Sequence, residues 1–489
     1  MTGALVFPAV DLRAIGPALV LSITGVVVLL LDLLPPRDRK DHLGLVGLAG
    51  VVVSLILTLR LWGADARAFR GMVALDGYAL FFNLVIGYAT GLVLLLSMDY
   101  VRRQGMESGE FYILVLFSAV GMLLMASATD LIVIFLALET MSLSLYVLAG
   151  FFRGRIEAGE ASMKYFLLGA FASGFFLYGI ALIFGATGST NLDRIAAAIA
   201  AGAGRDPLLV IGAGLLLVGF GFKISSVPFH LWTSDVYEGA PTAITAFIAT
   251  GSKAAAFAAL LRVLTASVRA APLDWAALLS VLAVLSMTVG NVIAIAQQNL
   301  KRMLAYSSIA HVGYMLVGVV AGGTLGHGSV LFYLLVYTFT TGGAFGVILL
   351  LEKNGREAVR LADYGGLALR HPMMALALSV FLLSLIGIPP TAGFVGKFYL
   401  FGAAVRAGYV WLAVIGALNS ALAAYYYLRL IVYMYMRDPD PGGPTVAVPS
   451  FAGSLALVVA VWGVVQLGVL PAPLLDLAQA AVAPLLAGR

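Results

Sequence analysis

The chain has 489 residues, of which 62% are hydrophobic and only 11% charged, with a mean hydropathy of +1.03. A water-facing domain carries roughly 25% charged residues, so this composition excludes a soluble globular protein and makes lipid the solvent. Zero cysteines exclude disulfides and cysteine-held zinc or iron–sulfur clusters, and the net charge of +5 comes from loop Lys and Arg, with no basic block suited to nucleic acid.

The apolar runs predict an all-α polytopic membrane protein of fourteen transmembrane helices. In chain order the spans are 16–34, 43–62, 73–99, 111–127, 130–150, 162–186, 207–229, 241–266, 274–296, 303–322, 328–352, 372–404, 409–435 and 449–471. They lack the period-two alternation of barrel strands and hold the Gly, Ala, Ser and Thr that let helices approach closely in lipid. Residues 1–10 lack the basic start of a cleavable signal, so the first span is expected to stay as a helix. Fourteen spans put both termini on one side. Loops after odd-numbered spans hold more Lys and Arg than the opposite face, which predicts cytoplasmic odd-numbered loops and external termini.

Two helices look broken. Span 7 ends in GFKISSVPFH (221–230), and span 12 contains GIPPTAGFVGK (387–397). Proline removes a backbone donor and clashes with the preceding turn, here at Pro228 and at Pro389 and Pro390. Such backbone survives at membrane depth only where protein or trapped water satisfies it, and paired breaks point to inverted-repeat transporters. The expected organisation is helices 1–3 over 1–106, a first five-helix unit over 107–268, a second over 269–440, and a last helix within 441–489. Each unit has its broken helix fourth.

Four ionisable side chains lie deep in these spans: Glu139, Lys223, Lys253 and Lys397. Such charges are costly in lipid and mark ion paths. Glu139, in DLIVIFLALETMSL (130–143), lies roughly 13 Å in from Asp130 and is the one acid placed near mid-bilayer. Lys223 precedes the first break and Lys397 follows the second; Lys253 sits in TGSKAAAF (250–257), with Arg262 roughly 13 Å further on. The competing reading of each is a fixed counter-ion or a structural hydrogen bonder. Magnitudes favour switching. A pKa swing of about three units is worth roughly 4 kcal/mol, and moving a unit charge through about 180 mV costs roughly the same. A static buried pair is no better than apolar packing. Lys164, near Glu160, is a secondary candidate that also suits an interfacial role. His230 and His311 can titrate near neutral pH or serve as hydrogen bonders. Arg429 is expected at the interface, His327 solvated in a Gly-rich loop, and His42 and His371 without special roles.

The stretch VPFHLWTSDVYEGAPTAITAF (227–247), followed by GSKA (251–254), resembles the antiporter-like subunits of respiratory complex I. GIPPTAGFVGKFYLF (387–401) narrows the resemblance to the N-subunit family of NADH:quinone oxidoreductase. The related M subunits and cation/proton antiporter D subunits typically carry glutamate where Lys397 stands. The resemblance covers at least spans 4–13. It implies fourteen helices with two inverted five-helix repeats, and a proton-translocating translocase role without a redox centre in this chain. Flavin, iron–sulfur clusters and the quinone site are expected in partner subunits. The expected partners are the neighbouring antiporter-like M subunit, the K subunit, lipid, protons and internal water. By resemblance Glu139 matches the helix-5 glutamate, Lys223 its helix-7 partner, Lys253 the helix-8 lysine linking two half-channels, and Lys397 the helix-12 lysine that exchanges protons with one aqueous side. Lys164 and His230 also have family counterparts. A cation/proton antiporter subunit without redox partners is the alternative, which Lys397 speaks against. A mere scaffold would not need four deep charges, and a sodium path would favour clustered oxygens.

Overall fold

The computed structural model describes residues 11–34, 40–105, 109–268, 274–353, 355–439, 442–446 and 451–486. A chain in lipid must satisfy its backbone internally, and these apolar runs do so as helices. The first six are α1 (Gly16–Asp32), α2 (Asp41–Arg60), α3 (Gly77–Arg103), α4 (Gly109–Ser127), α5 (Leu131–Ala149) and α6 (Ile156–Thr187). A short α7 (Leu192–Ala200) leads to the first broken span, α8 (Pro207–Ile224) and α9 (Thr233–Gly239). The next span joins α10 (Thr242–Phe247) to α11 (Lys253–Val263) through a wide π-helical turn, Ile248–Ser252. Then come α12 (Trp275–Ala296), α13 (Leu300–Ala321), α14 (Gly323–Leu350) and the one-turn α15 (Leu367–Arg370). The second broken span is α16 (Pro372–Ile386) and α17 (Ala392–Arg406), followed by α18 (Val410–Met436), α19 (Phe451–Val469) and α20 (Ala472–Leu486).

Among the described residues, thirteen helices are long and apolar enough to cross a membrane. The expected fourteenth is the second broken span, whose halves of 15 residues each are individually too short. We call the side where α1, α3 and α5 end the A face, and the opposite side the B face. The B face carries β1 (Ala66–Ala68) paired with β2 (Val73–Leu75). On the A face β3 (Leu351–Lys353) pairs with β4 (Arg356–Glu357) and with β5 (Thr445–Val446).

Several expected boundaries move for physical reasons. Span 3 begins at Gly77, because Asp76 caps the helix by accepting from Ala79 N at 2.8 Å and the preceding residues pair as strand. Span 6 begins six residues early, at Ile156, on a polar turn that apolar counting passes over. Span 11 begins at Gly323, so His327 is buried in its first turns and not in a solvated loop. The reading also ended at residue 471 and lacked α20. That helix lies across the B face against the starts of α3 and α14. A side chain at Gly328 would put its Cβ 2.7 Å from Gln479 Cγ.

Candidate functional site

The two breaks are built alike. α8 ends in Ser225, with φ 65°, and α16 ends in Gly387, with φ 91°; each is a left-handed helix stop. Cis peptides follow at Val227–Pro228 and Pro389–Pro390. All three prolines face outward. The freed backbone groups find partners inside. Trp232 Nε1 donates to Phe222 O at 3.0 Å, and Val227 N donates to Ser286 Oγ at 3.0 Å. In the second break Gly393 N donates to Ser384 Oγ at 3.1 Å. A Cβ on Gly393 would lie 1.7 Å from Ser384 O, so only glycine fits this approach.

Lys223, on the last turn of α8, is buried. Its Nζ donates to Ser142 Oγ at 2.7 Å and to Tyr146 OH at 3.4 Å, and lies 5.2–5.5 Å from the ring centroids of Tyr146, Tyr165 and Phe222. Tyr165 stacks on Trp232 at 4.5 Å, which ties this cradle to the break. Glu139 lies one turn from Ser142 on the same face of α5. It is half-buried and accepts a hydrogen bond from Ser173 Oγ of α6. Among the described residues Glu139 and Lys223 form no direct ion pair; Lys223 donates to Ser142, and Glu139 accepts from Ser173.

Lys253 begins α11 immediately after the wide turn, a feature common at functional sites. It is 1% exposed, donates to Ser308 Oγ of α13, and sits 5.9 Å from the Tyr237 ring. Tyr237 OH and Ser308 Oγ are 3.3 Å apart. One turn along α13, His311 Nδ1 meets Tyr333 OH at 2.7 Å and Nε2 meets Tyr427 OH at 3.3 Å. Tyr427 OH also bonds Ser307 Oγ. One further turn brings Tyr314, whose ring lies 4.5 Å from Lys397 Nζ. Lys397 donates to Leu385 O at 2.9 Å, Ile386 O at 3.0 Å and Ser420 Oγ at 3.2 Å. It thus caps the carbonyl end of α16, where the helix dipole favours a cation. Beside it opens a cavity of about 620 Å³ lined by Gly387, Phe394 and Ser420.

Lys223, Lys253, His311 and Lys397 therefore lie in the buried interior, linked through hydroxyls and rings. Lys164 does not join them. It is exposed at the A face, 2.6 Å from both Glu160 and Asp235, and Arg302 lies 2.8 Å from Asp235 and 2.6 Å from Glu238. Burial opposes the charge on Asp235, but Lys164 and Arg302 outweigh it and hold the carboxyl below its ordinary range. His230 is half-buried at the first break, away from the tyrosine–serine track. Arg429 caps the end of α12 by donating to Ile295 O at 3.0 Å and Gln297 O at 2.7 Å.

Two buried ion clusters escaped the sequence reading. At the B face Arg262 makes a two-point pair with Asp76, at 2.8 and 3.1 Å, and donates twice to Ala126 O. At the A face Glu357 accepts from Tyr100 OH at 2.5 Å and lies 3.7 Å from Lys301. Burial opposes ionisation of both carboxyls, yet the partner cation in each case holds the pKa below the ordinary value. Each member sits at a span end, where a charge is unremarkable in sequence; only the pairing across elements marks it.

The fold and this buried lysine track define an antiporter-like polytopic membrane subunit. Residues 128–423 match the family described as NADH:quinone oxidoreductase/Mrp antiporter, TM. The chain is 50% identical over 480 residues to NADH-quinone oxidoreductase subunit N of Trichlorobacter lovleyi, covering 98% of each. A chain of respiratory complex I from Thermus thermophilus is 40% identical and superposes with a TM-score of 0.80, over 95% of this chain and 99% of that one. A chain of the Mrp complex from Dietzia sp. is 22% identical with a TM-score of 0.85, covering 97% and 98%, and shares the fold. The chain belongs to the NADH-quinone oxidoreductase subunit N family.

Proposed function

We propose that this chain carries protons through the membrane arm of an NADH:quinone oxidoreductase, along the relay Glu139–Lys223–Lys253–Lys397. The observation that carries this reading is the placement of Ser308, His311 and Tyr314 on successive turns of α13. Ser308 holds Lys253, Tyr314 faces Lys397, and His311 stands between them. Six residues of helix span roughly 9 Å, a gap that hydroxyls, an imidazole and internal water bridge in short hops. On the first side Ser142 and Tyr146 receive Lys223 and Ser173 holds Glu139, and in this reading internal water joins the two. In this reading protons leave Lys397 toward the B face past the cavity beside it, whose lining includes Ser420 and Arg406.

In this reading the redox steps, with flavin, iron–sulfur clusters and quinone, belong to partner chains. The M and K subunits flank this one. The A face is cytoplasmic, both termini are external, and the enzyme class is a proton-translocating translocase. The five-helix units over 107–268 and 269–440 act as two half-channels that meet at Lys253. The test is Lys253→Ala in the assembled complex, reconstituted in proteoliposomes, with NADH oxidation and proton uptake measured together. A fall in protons moved per NADH of at least severalfold supports the relay. A wild-type ratio and turnover would reduce Lys253 to a structural cation.

A further inference from the structure

We infer that the A face holds a binding pocket for the phosphate-bearing headgroup of an anionic phospholipid, separate from the relay. The pocket has a volume of about 680 Å³, within the range of ligand sites. Its walls include Lys40, Arg153, Arg155 and Arg356, against one acid, Glu110. Lys40 is already matched by Asp32 at 2.6 Å. Arg155 makes no ion pair: it donates to Gln104 Oε1 at 2.9 Å and lies 4.1 Å over the Phe152 ring, while the carboxylate that feels its charge, Glu357, is buried behind it and already held by Tyr100 and Lys301. Arg153 and Arg356 are exposed and, among the described residues, form no ion pair. The nearby Arg103 does not share this state, since Glu352 binds it at 2.5 Å.

Three guanidinium groups are thus gathered at one cavity from the α5–α6 connection and the β3–β4 hairpin, with one glutamate, Glu110, in the lining and Glu357 behind it already shared with Lys301. Like charges so arranged repel unless an anion joins them, and guanidinium forks suit phosphate oxygens. The position selects a lipid over a soluble phosphate. The walls lie at the A-face ends of α2–α6 and on the β3–β4 hairpin, and the adjoining surface is aliphatic. Leu33 at the end of α1 is 70% exposed, and Ile156, next to Arg155, is 87% exposed. Headgroup and acyl chains therefore both have a seat. Basic pockets between transmembrane helices bind such headgroups. Diphosphatidylglycerol, with two phosphates, matches the charge.

The test uses the assembled complex in phosphatidylcholine nanodiscs, with a photoreactive-acyl diphosphatidylglycerol as probe and labelled peptides of this chain as readout. Wild-type labelling near 151–156 is expected to be displaced by unlabelled diphosphatidylglycerol. Each charge removed weakens binding by roughly fivefold. The combined variant Arg153→Gln, Arg155→Gln, Arg356→Gln then loses roughly a hundredfold in apparent affinity, while the three Lys replacements stay within about tenfold of wild type. Should the triple variant fail to assemble, Arg153→Gln alone, at an exposed and unpaired site, still carries the fivefold expectation. Undiminished labelling of the Gln variants overturns the proposal. So does equal displacement by inorganic pyrophosphate, which would mark a soluble-phosphate site, or cross-linking of this pocket to a neighbouring subunit in place of lipid.

Discussion

His311 is the residue on which the two halves of the proposed relay depend. Its ring nitrogens meet two tyrosine hydroxyls, and α13 places it between the contacts of Lys253 and Lys397. His311→Phe keeps the ring volume but strands the Tyr333 hydroxyl, while Tyr427 OH keeps Ser307, at a stability cost of about 1–3 kcal/mol. We expect protons moved per NADH to fall at least tenfold in proteoliposomes while the complex assembles; unchanged stoichiometry would remove His311 from the path. Lys397→Glu should instead impair transport more than assembly, since the family resemblance associates glutamate with this position in related subunits. Blue-native gels set against pumping rates separate the two effects. The lysines were legible because a charge at membrane depth stands out against apolar neighbours. Tyr146, Tyr237, Tyr333 and Tyr427 were not, because tyrosine is frequent in membrane helices and a hydroxyl announces no partner until the fold supplies one. The pair Asp76–Arg262 was hidden for a related reason: each lies at a span end, where charge is cheap.

At the scale of elements, the second break rests on close backbone approach. Gly393 abuts Ser384 O, and a Cβ on Gly468 of α19 would lie 2.0 Å from Pro390 O. Gly393→Ala must push α17 off α16, which removes the carbonyls that hold Lys397. Overpacking of this kind costs typically 1–3 kcal/mol. The expected outcome is a lower thermal midpoint of the assembled complex together with reduced pumping. Loss of pumping with an unaltered midpoint would place the effect elsewhere. Long apolar runs and prolines made the spans and both breaks readable. α20 escaped because it has only 15 residues and follows a proline: it is apolar, but too short to register as a span. The wide turn before Lys253 leaves no composition signal at all; it is a matter of which carbonyl each N–H meets.

For the whole molecule, the Asp76–Arg262 pair joins α3, α4 and α11 at the B face, under α20. Arg262→Met leaves a buried carboxylate alone, a loss of about 3–5 kcal/mol. Arg262→Met with Asp76→Leu should recover most of it, because an apolar pair replaces a buried ionic one at little cost. Thermal denaturation of both variants checks this; equal damage in the two would show that packing, not the stranded charge, sets the loss. The sign with pH follows from the depressed Asp76 carboxyl. Its contribution is full above the unfolded value of about 4 and disappears as pH falls through the lower folded value.

The wide turn at Ile248–Ser252 works as a dislocation in an otherwise regular screw. It absorbs one surplus residue, so that α10 and α11 each keep their own facing. One residue of helix corresponds to about 100° of rotation and 1.5 Å of advance. If this dislocation glided past Lys253, the ammonium would turn by that angle away from Ser308, and the helix would behave as a camshaft whose ends stay fixed while one lobe rotates.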